Sequence, residues 1–277
     1  MTQMRIRIAH ETLYRYDRPV RSVIQVLRLT PRNHAGQHTI SWQIEPGTDG
    51  RLRSGEDGFG NITHVFSAEG PLDALSVRVS GVVDTLDTAG TVNGAAERVP
   101  EAVFLRETAL TSPDAAICEF AEDTASGPGT ELDTLHRLLA AIHREVAFDI
   151  APTNVGTTAT EAFALRRGVC QDLTHIFIAA ARHLGIPARY VSGYFHRADG
   201  VVEQEASHAW AEARVPGLGW VGFDPANGIS PTDAHVRIAI GLDYLGAAPI
   251  RGSRRGGGDE ALDVTLRVDT AQRQSQS

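Results

Sequence analysis

The sequence predicts an α+β fold: an N-terminal antiparallel, β-sandwich-like domain, then a core in which a helix-borne cysteine packs on an antiparallel sheet. Three observations predict it. Residues 1 to about 90 alternate with period two, as in Leu75, Val77, Val79, Gly81 and Val83, between turn signals at Pro46-Gly47, Asp57-Gly58 and Gly70-Pro71. Leu173, Ile176, Phe177, Ala180, Ala181 and Leu184 mark one face of a helix that starts beside Cys170. Beyond it, the strand-like runs 208–215 and 220–223 flank the turn signal Pro216-Gly217-Leu218-Gly219.

The elements follow in order. Residues 1–90 form the β-rich domain, and 91–129 form a connecting segment rich in Ala, Thr and Glu, with a short helix expected around Val103 to Leu110. The core that carries Cys170 is placed at 130–268. It opens with a helix from Leu132 to Val146, carried by Leu135, Leu138, Leu139 and Ile142. Thr158-Ala159-Thr160-Glu161 has the pattern of a capping box, in which side chains at both ends satisfy free backbone N–H groups. The Cys170 helix stops at Gly185, and Pro187 prevents its return. Ala188 to Phe195 and the hairpin build a sheet against that helix. Leu262, Val264, Leu266 and Val268 alternate as a last strand after the Gly256-Gly257-Gly258 loop, and 269–277 read as a frayed tail. There is no internal repeat.

The chemistry starts at Cys170. At the first turn of a helix, unpaired N–H groups and the positive end of the dipole favour a thiolate. A free cysteine taken alone is usually a small buried hydrophobe. Here His208 and Asp224 follow it, and a hairpin centred near Pro216 brings both to its open end. A thiol, an imidazole and a carboxylate together supply a nucleophile, a base and an orienting group. The pairing register is not readable, because a one-residue slip turns a side chain to the other face. Trp210 and Trp220, in the hairpin, are expected to pack against the helix.

The motifs Gly168-Val169-Cys170-Gln171-Asp172, Leu184-Gly185-Ile186-Pro187-Ala188-Arg189-Tyr190-Val191-Ser192-Gly193-Tyr194, Ser207-His208-Ala209-Trp210-Ala211-Glu212 and Gly219-Trp220-Val221-Gly222-Phe223-Asp224-Pro225 resemble the transglutaminase-like superfamily of papain-type thiol enzymes. The resemblance is to its bacterial branch. Looser matches lie in Tyr14-Arg15-Tyr16-Asp17, Leu27-Arg28-Leu29-Thr30-Pro31-Arg32 and Asp57-Gly58-Phe59-Gly60-Asn61. The resemblance implies a papain-like core, amide or peptide chemistry, and Cys170, His208 and Asp224 as the catalytic residues. One departure is Gly241-Leu242-Asp243-Tyr244, where this branch usually carries Gly-Arg-Asp-Tyr; if that arginine lines a substrate groove, substrate preference changes. The expected activity is a cysteine peptidase or amidase. A protein–glutamine acyltransferase uses the same site, and a catalytically idle binding module is the alternative from another class.

Composition fits a protein with one or two sizeable cores, since 277 residues are 42% hydrophobic. A net charge of −8 argues against a nucleic-acid partner, and all 26 basic residues are Arg. No apolar run is long enough to span a bilayer, so no membrane partner is expected. The partner implied is a peptide or protein amide substrate. Residues 1–8 lack the apolar core of a signal peptide, and a Cys118–Cys170 disulfide would silence the nucleophile, so a reducing, cytoplasmic location is expected. Cys118 reads as a buried or half-buried structural thiol. No metal and no cofactor are expected: His34 and His38 flank a turn, His136 and His143 lie two helical turns apart, and no Cys-x-x-Cys occurs. His175 and His183 read as packing or surface residues. Arg166 and Arg167 could hold an acidic substrate, although such a pair is commonly a solvated helix end.

Overall fold

The computed structural model describes residues 2–151 and 153–271. The chain runs β1 (Gln3–Thr30), β2 (Gln37–Pro46), β3 (Arg51–Glu56), β4 (Ile62–Leu86) and β5 (Thr91–Val92), then a 3₁₀ turn (Glu101–Leu105). Next come α1 (Ala115–Ala125), α2 (Glu131–Glu145), β6 (Ala147–Phe148), α3 (Ala159–Leu165), β7 (Arg167–Gly168) and α4 (Cys170–His183). The chain ends with β8 (Ala188–Phe195), β9 (Glu203–Gln204), β10 (His208–Val215), β11 (Gly219–Phe223), β12 (His235–Gly241), α5 (Tyr244–Ala247), β13 (Ile250–Gly256) and β14 (Glu260–Thr270).

The first sheet is built on two long antiparallel strands, β1 of 28 residues and β4 of 25. Their pairing breaks between Arg15 and Val20, and each strand serves two halves. One half of β1 pairs with β14 and the other with β13. In the same way β4 carries β2 on one half and β3 on the other. One buried cluster joins Val23, Leu27 and Phe66 from one half to Leu75, Val77 and Val79 from the other. The sheet therefore folds over on itself, and its alternating apolar positions fill the space between.

Several features differ from the sequence expectation. β13 and β14 return to the first sheet rather than completing the core, so the chain from Ile250 onward belongs with the N-terminal β structure. Residues 269 and 270 lie in β14, and the rest of the expected tail, 272–277, lies outside the described residues. The helix expected near Val103 is a single 3₁₀ turn, while α1 begins later, where the Asp114 side chain accepts from the Ile117 N–H at 3.0 Å. The apolar stripe of α1 is thin, with only Ile117 and Ala121 buried, and periodicity does not reveal it.

The second sheet has the antiparallel order β12-β8-β10-β11-β5. α4 lies between this sheet and a layer of α1, α2 and α3, and is buried on every face from Gln171 to Arg182. Ala209, Ala211 and Ala213 of β10 share the cluster of α4, and their small side chains let helix and strand approach closely. Trp210 and Trp220 do not pack against the helix as expected. They lie on the opposite face of the sheet with Phe104, Val191 and Ile240.

Candidate active site

Cys170 is the first residue of α4 and is half-buried. Asp172, in the first turn, reaches back to accept the Val169 N–H at 2.8 Å and the Thr153 hydroxyl at 2.7 Å, both on Oδ2. Val169 has no side-chain acceptor to complete a capping box, so Asp172 alone ties the helix start to the 153 loop. A Cβ on Gly168 would meet Asp172 Oδ2 at 2.6 Å; only glycine permits this close approach. The Cys170 N–H falls at a position with no partner inside the helix, which suits it as an oxyanion donor.

His208 opens β10, opposite Gly193 of β8. The hairpin pairs Ala211 with Phe223 and Val215 with Gly219, so it centres on Gly217, at φ 79°. Asp224 lies just past β11, in an isolated bridge with Ile229. His208 Nε2 donates to Asp224 Oδ2 at 2.7 Å, and the nearby Cys170 also favours the charged form of the ring. With Nε2 held by Asp224, Nδ1 is left for the sulfur. Burial opposes charge on the ring, but the Asp224 carboxylate and then Cys170 outweigh it and push His208 up to about 10. Burial likewise opposes charge on Asp224, yet His208 and His235 hold its carboxyl well below the usual range. The three predicted residues thus come together around the His208 ring.

Comparison with known proteins gives the family and the fold. The model of the transglutaminase-like superfamily matches residues 119–225, and that of the bacterial transglutaminase-like N-terminal region matches residues 6–84. An uncharacterized protein of Mycobacterium leprae (strain TN) is 30% identical over 280 residues, covering 95% of this chain and 98% of the relative. This chain belongs to the transglutaminase-like superfamily. An uncharacterized protein of Mycobacterium tuberculosis (strain H37Rv) is 29% identical over 273 residues, covering 90% of this chain and 87% of the relative. The crystal structure of a candidate cysteine protease from Cytophaga hutchinsonii has the same fold, with a TM-score of 0.79 at 20% identity over 99% of this chain and 92% of that one.

The transglutaminase-like core also contains two residues that the motifs did not reveal. Asn227 Nδ2 donates to Asp224 Oδ2 at 2.7 Å, and its backbone N–H reaches Oδ1 at 3.2 Å. Its signal in the sequence was the Asp224-Pro225-Ala226-Asn227 turn. His235 Nε2 lies 3.1 Å from Asp224 Oδ2, brought in by β12; nothing in the spacing of the histidines points to it. Ligand atoms of His208, Asp224 and His235 fall within 4.8 Å of one another, a spacing that could suit a metal ion. The Thr232 N–H, however, donates to His235 Nδ1 at 3.1 Å, which leaves the proton on Nε2 and no lone pair there for a metal.

The remaining candidates lie elsewhere. His34 Nδ1 accepts the Gly36 N–H at 3.2 Å within its own turn, His136 rests edge-on against Phe223, and His143 Nδ1 meets the Pro225 carbonyl at 3.1 Å. His175 is fully buried against Tyr190, where burial lowers it to about 4, and its Nε2 accepts the Tyr244 N–H at 3.1 Å. His183 pairs with Glu122. Arg166 and Arg167 are exposed and pair with Glu145 and Asp149. Leu242, at the departing motif position, packs against the Trp210 and Trp220 cluster. Both cysteines are free thiols, and Cys118 is half-buried.

Proposed function

We propose that the protein is a cysteine-dependent hydrolase of amide or peptide bonds that works through an acyl-enzyme thioester. The observation that carries this reading is the His208–Asp224 pair, bonded at 2.7 Å, brought together with Cys170 at a helix start. Cys170, as thiolate, attacks the amide carbonyl. The His208 imidazolium protonates the leaving amine, and the neutral ring then takes a proton from water. Asp224 orients His208 and stabilises its charge. A peptide or protein amide is the substrate, nucleic acid and membrane are not partners, and no metal or cofactor enters these steps. A free, nucleophilic thiol fits a reducing, cytoplasmic setting.

Acyl transfer to an amine begins from the same thioester. A dedicated cross-linker needs an apolar tunnel that keeps water out. Trp210 and Trp220 are committed to the far face of the sheet, which favours hydrolysis. The test is to trap the acyl-enzyme from a peptide pool, identify the acyl group by mass, and supply about millimolar primary amine. Free acid is the expected main product, and a predominant amide conjugate would establish the acyltransferase instead. Cys170→Ala should abolish both products and His208→Ala nearly so, while Asp224→Ala should leave weak residual turnover. Full activity in Asp224→Ala would reduce that residue to a turn former.

A further inference from the structure

Asp224 is reached by more donors than an orienting carboxylate requires. Its Oδ2 takes His208 Nε2 at 2.7 Å, Asn227 Nδ2 at 2.7 Å and His235 Nε2 at 3.1 Å. The Asn227 contacts come from the turn that holds Asp224 itself. His235 comes from β12, the far edge of the second sheet, and its side chain is 2% exposed. Its ring lies between Phe195, with centroids 4.6 Å apart, and Trp210, at 5.2 Å.

The tautomer of His235 follows from its other nitrogen. Nδ1 accepts the Thr232 N–H at 3.1 Å, so the ring proton sits on Nε2, facing Asp224. Burial lowers the basicity of the ring, and it stays neutral beside the charged His208. A neutral imidazole fixed in this tautomer can donate to Asp224 but cannot take a proton from His208. The titratable groups facing it are Asp224 from the turn and His208 from β10. The next basic side chain on β12, Arg237, is held by Glu212 at 2.7 Å.

We infer that His235 is a positioning residue of the catalytic chain: it pins Asp224 Oδ2 against His208 and thereby sets how firmly the thiolate–imidazolium pair is held. This rests on Cys170 being the nucleophile, as proposed above. Without the donor, Asn227 alone is left to hold the carboxylate from its own turn, and Oδ2 loses the contact that comes from β12. The thiolate then forms at higher pH and the imidazolium loses its proton at lower pH, so the reactive window narrows from both sides.

The experiment reads the rate of Cys170 alkylation by iodoacetamide from about pH 4 to about pH 10, in the full chain carrying Cys118→Ala, and requires no substrate. In His235→Phe the aromatic volume stays and the donor is lost. The acid limb should move up by about one pH unit, and labelling near pH 5 should fall by up to about tenfold. In His235→Gln, the amide can accept from Thr232 and donate to Asp224, so the parent profile should return. A His235→Phe profile that overlays the parent overturns the inference. So does a His235→Gln profile as altered as that of His235→Phe, which would reduce His235 to packing. If His235→Phe does not fold, as judged by its melting curve, His235→Asn replaces it; that side chain is too short to reach Asp224, and a parent-like profile in it is again fatal. A parent profile with one ordinary thiol step removes the nucleophile reading, and the inference with it. That result is distinct from a normal parent with unaffected variants.

Discussion

Glu212 has no contact with solvent, yet it carries a carboxylate on the strand that His208 opens. Arg189 Nε reaches it at 2.6 Å and Arg237 Nε at 2.7 Å. Burial opposes its charge, but the two guanidinium groups outweigh burial and hold the carboxyl at about 2. Arg189 is itself fully buried, stacks 3.8 Å over the Trp220 ring, and extends to Glu97. Removing one member of a buried charge network leaves the others unpaired, and that costs more than the attraction lost. Glu212→Ala should therefore lower unfolding stability by about 3–5 kcal/mol in urea titration. A loss under about 1 kcal/mol would mean that water already reaches the site, as for exposed pairs. Arg189 and Glu212 stood in the sequence only as parts of two motifs. Their partnership was not legible, because it depends on β8 and β10 lying side by side with Arg189 opposite Glu212.

At the scale of elements, the start of α4 decides where the thiol sits. Asp172 is buried and joins the Val169 N–H to Thr153, and burial pushes its carboxyl up despite these bonds. Loss of such a cap costs about 0.5–2 kcal/mol. Asp172→Ala should cost about that much and also slow Cys170 alkylation, because the helix start is no longer tied down. Unchanged labelling at reduced stability would separate the cap from the geometry of the thiol. This helix, the hairpin and the Thr158–Glu161 capping box were legible in the sequence, because each rests on local spacing. The burial of α4 on all faces was not. Its polar flank holds Thr174, His175 and Arg182, and only tertiary contacts explain them. Arg182, for example, donates to the carbonyls of Phe104, Ala188 and Leu242. His235 escaped for the same reason, since β12 reaches the site across β8 rather than along the chain.

On the scale of the whole molecule, the first sheet does more than sit beside the core. β12 is an edge strand, and an edge leaves backbone groups unpaired. Two side-chain amides from the N-terminal region close it. Gln37 donates to the Arg237 carbonyl at 2.8 Å and accepts the Arg237 N–H at 2.7 Å. Asn61 does the same for Ile240, at 2.7 and 2.8 Å. Each amide stands in for a residue of a missing strand. The Asp57-Gly58-Phe59-Gly60-Asn61 motif now has a physical reason. Asp57 accepts the backbone N–H groups of Phe59 and Asn61 and the Asn61 amide, each at 3.0 Å, while Arg28 holds it at 2.8 Å. Gly60 turns the loop at φ 83°, where a side chain would be strained. The result aims Asn61 at the strand that carries His235. Asn61→Ala leaves a buried N–H and a buried carbonyl of Ile240 unpaired, at about 1–3 kcal/mol each. The expected loss of stability is about 2–4 kcal/mol, allowing for some relaxation. Asn61→Asp should lose at least as much, since a carboxylate can accept the Ile240 N–H but would set an oxygen against both the Ile240 carbonyl and Asp57 Oδ2, which the amide now donates to at 2.7 and 3.0 Å. If both variants unfold at the parent denaturant midpoint, the amide does not close the edge and the two sheets are held by apolar contact alone.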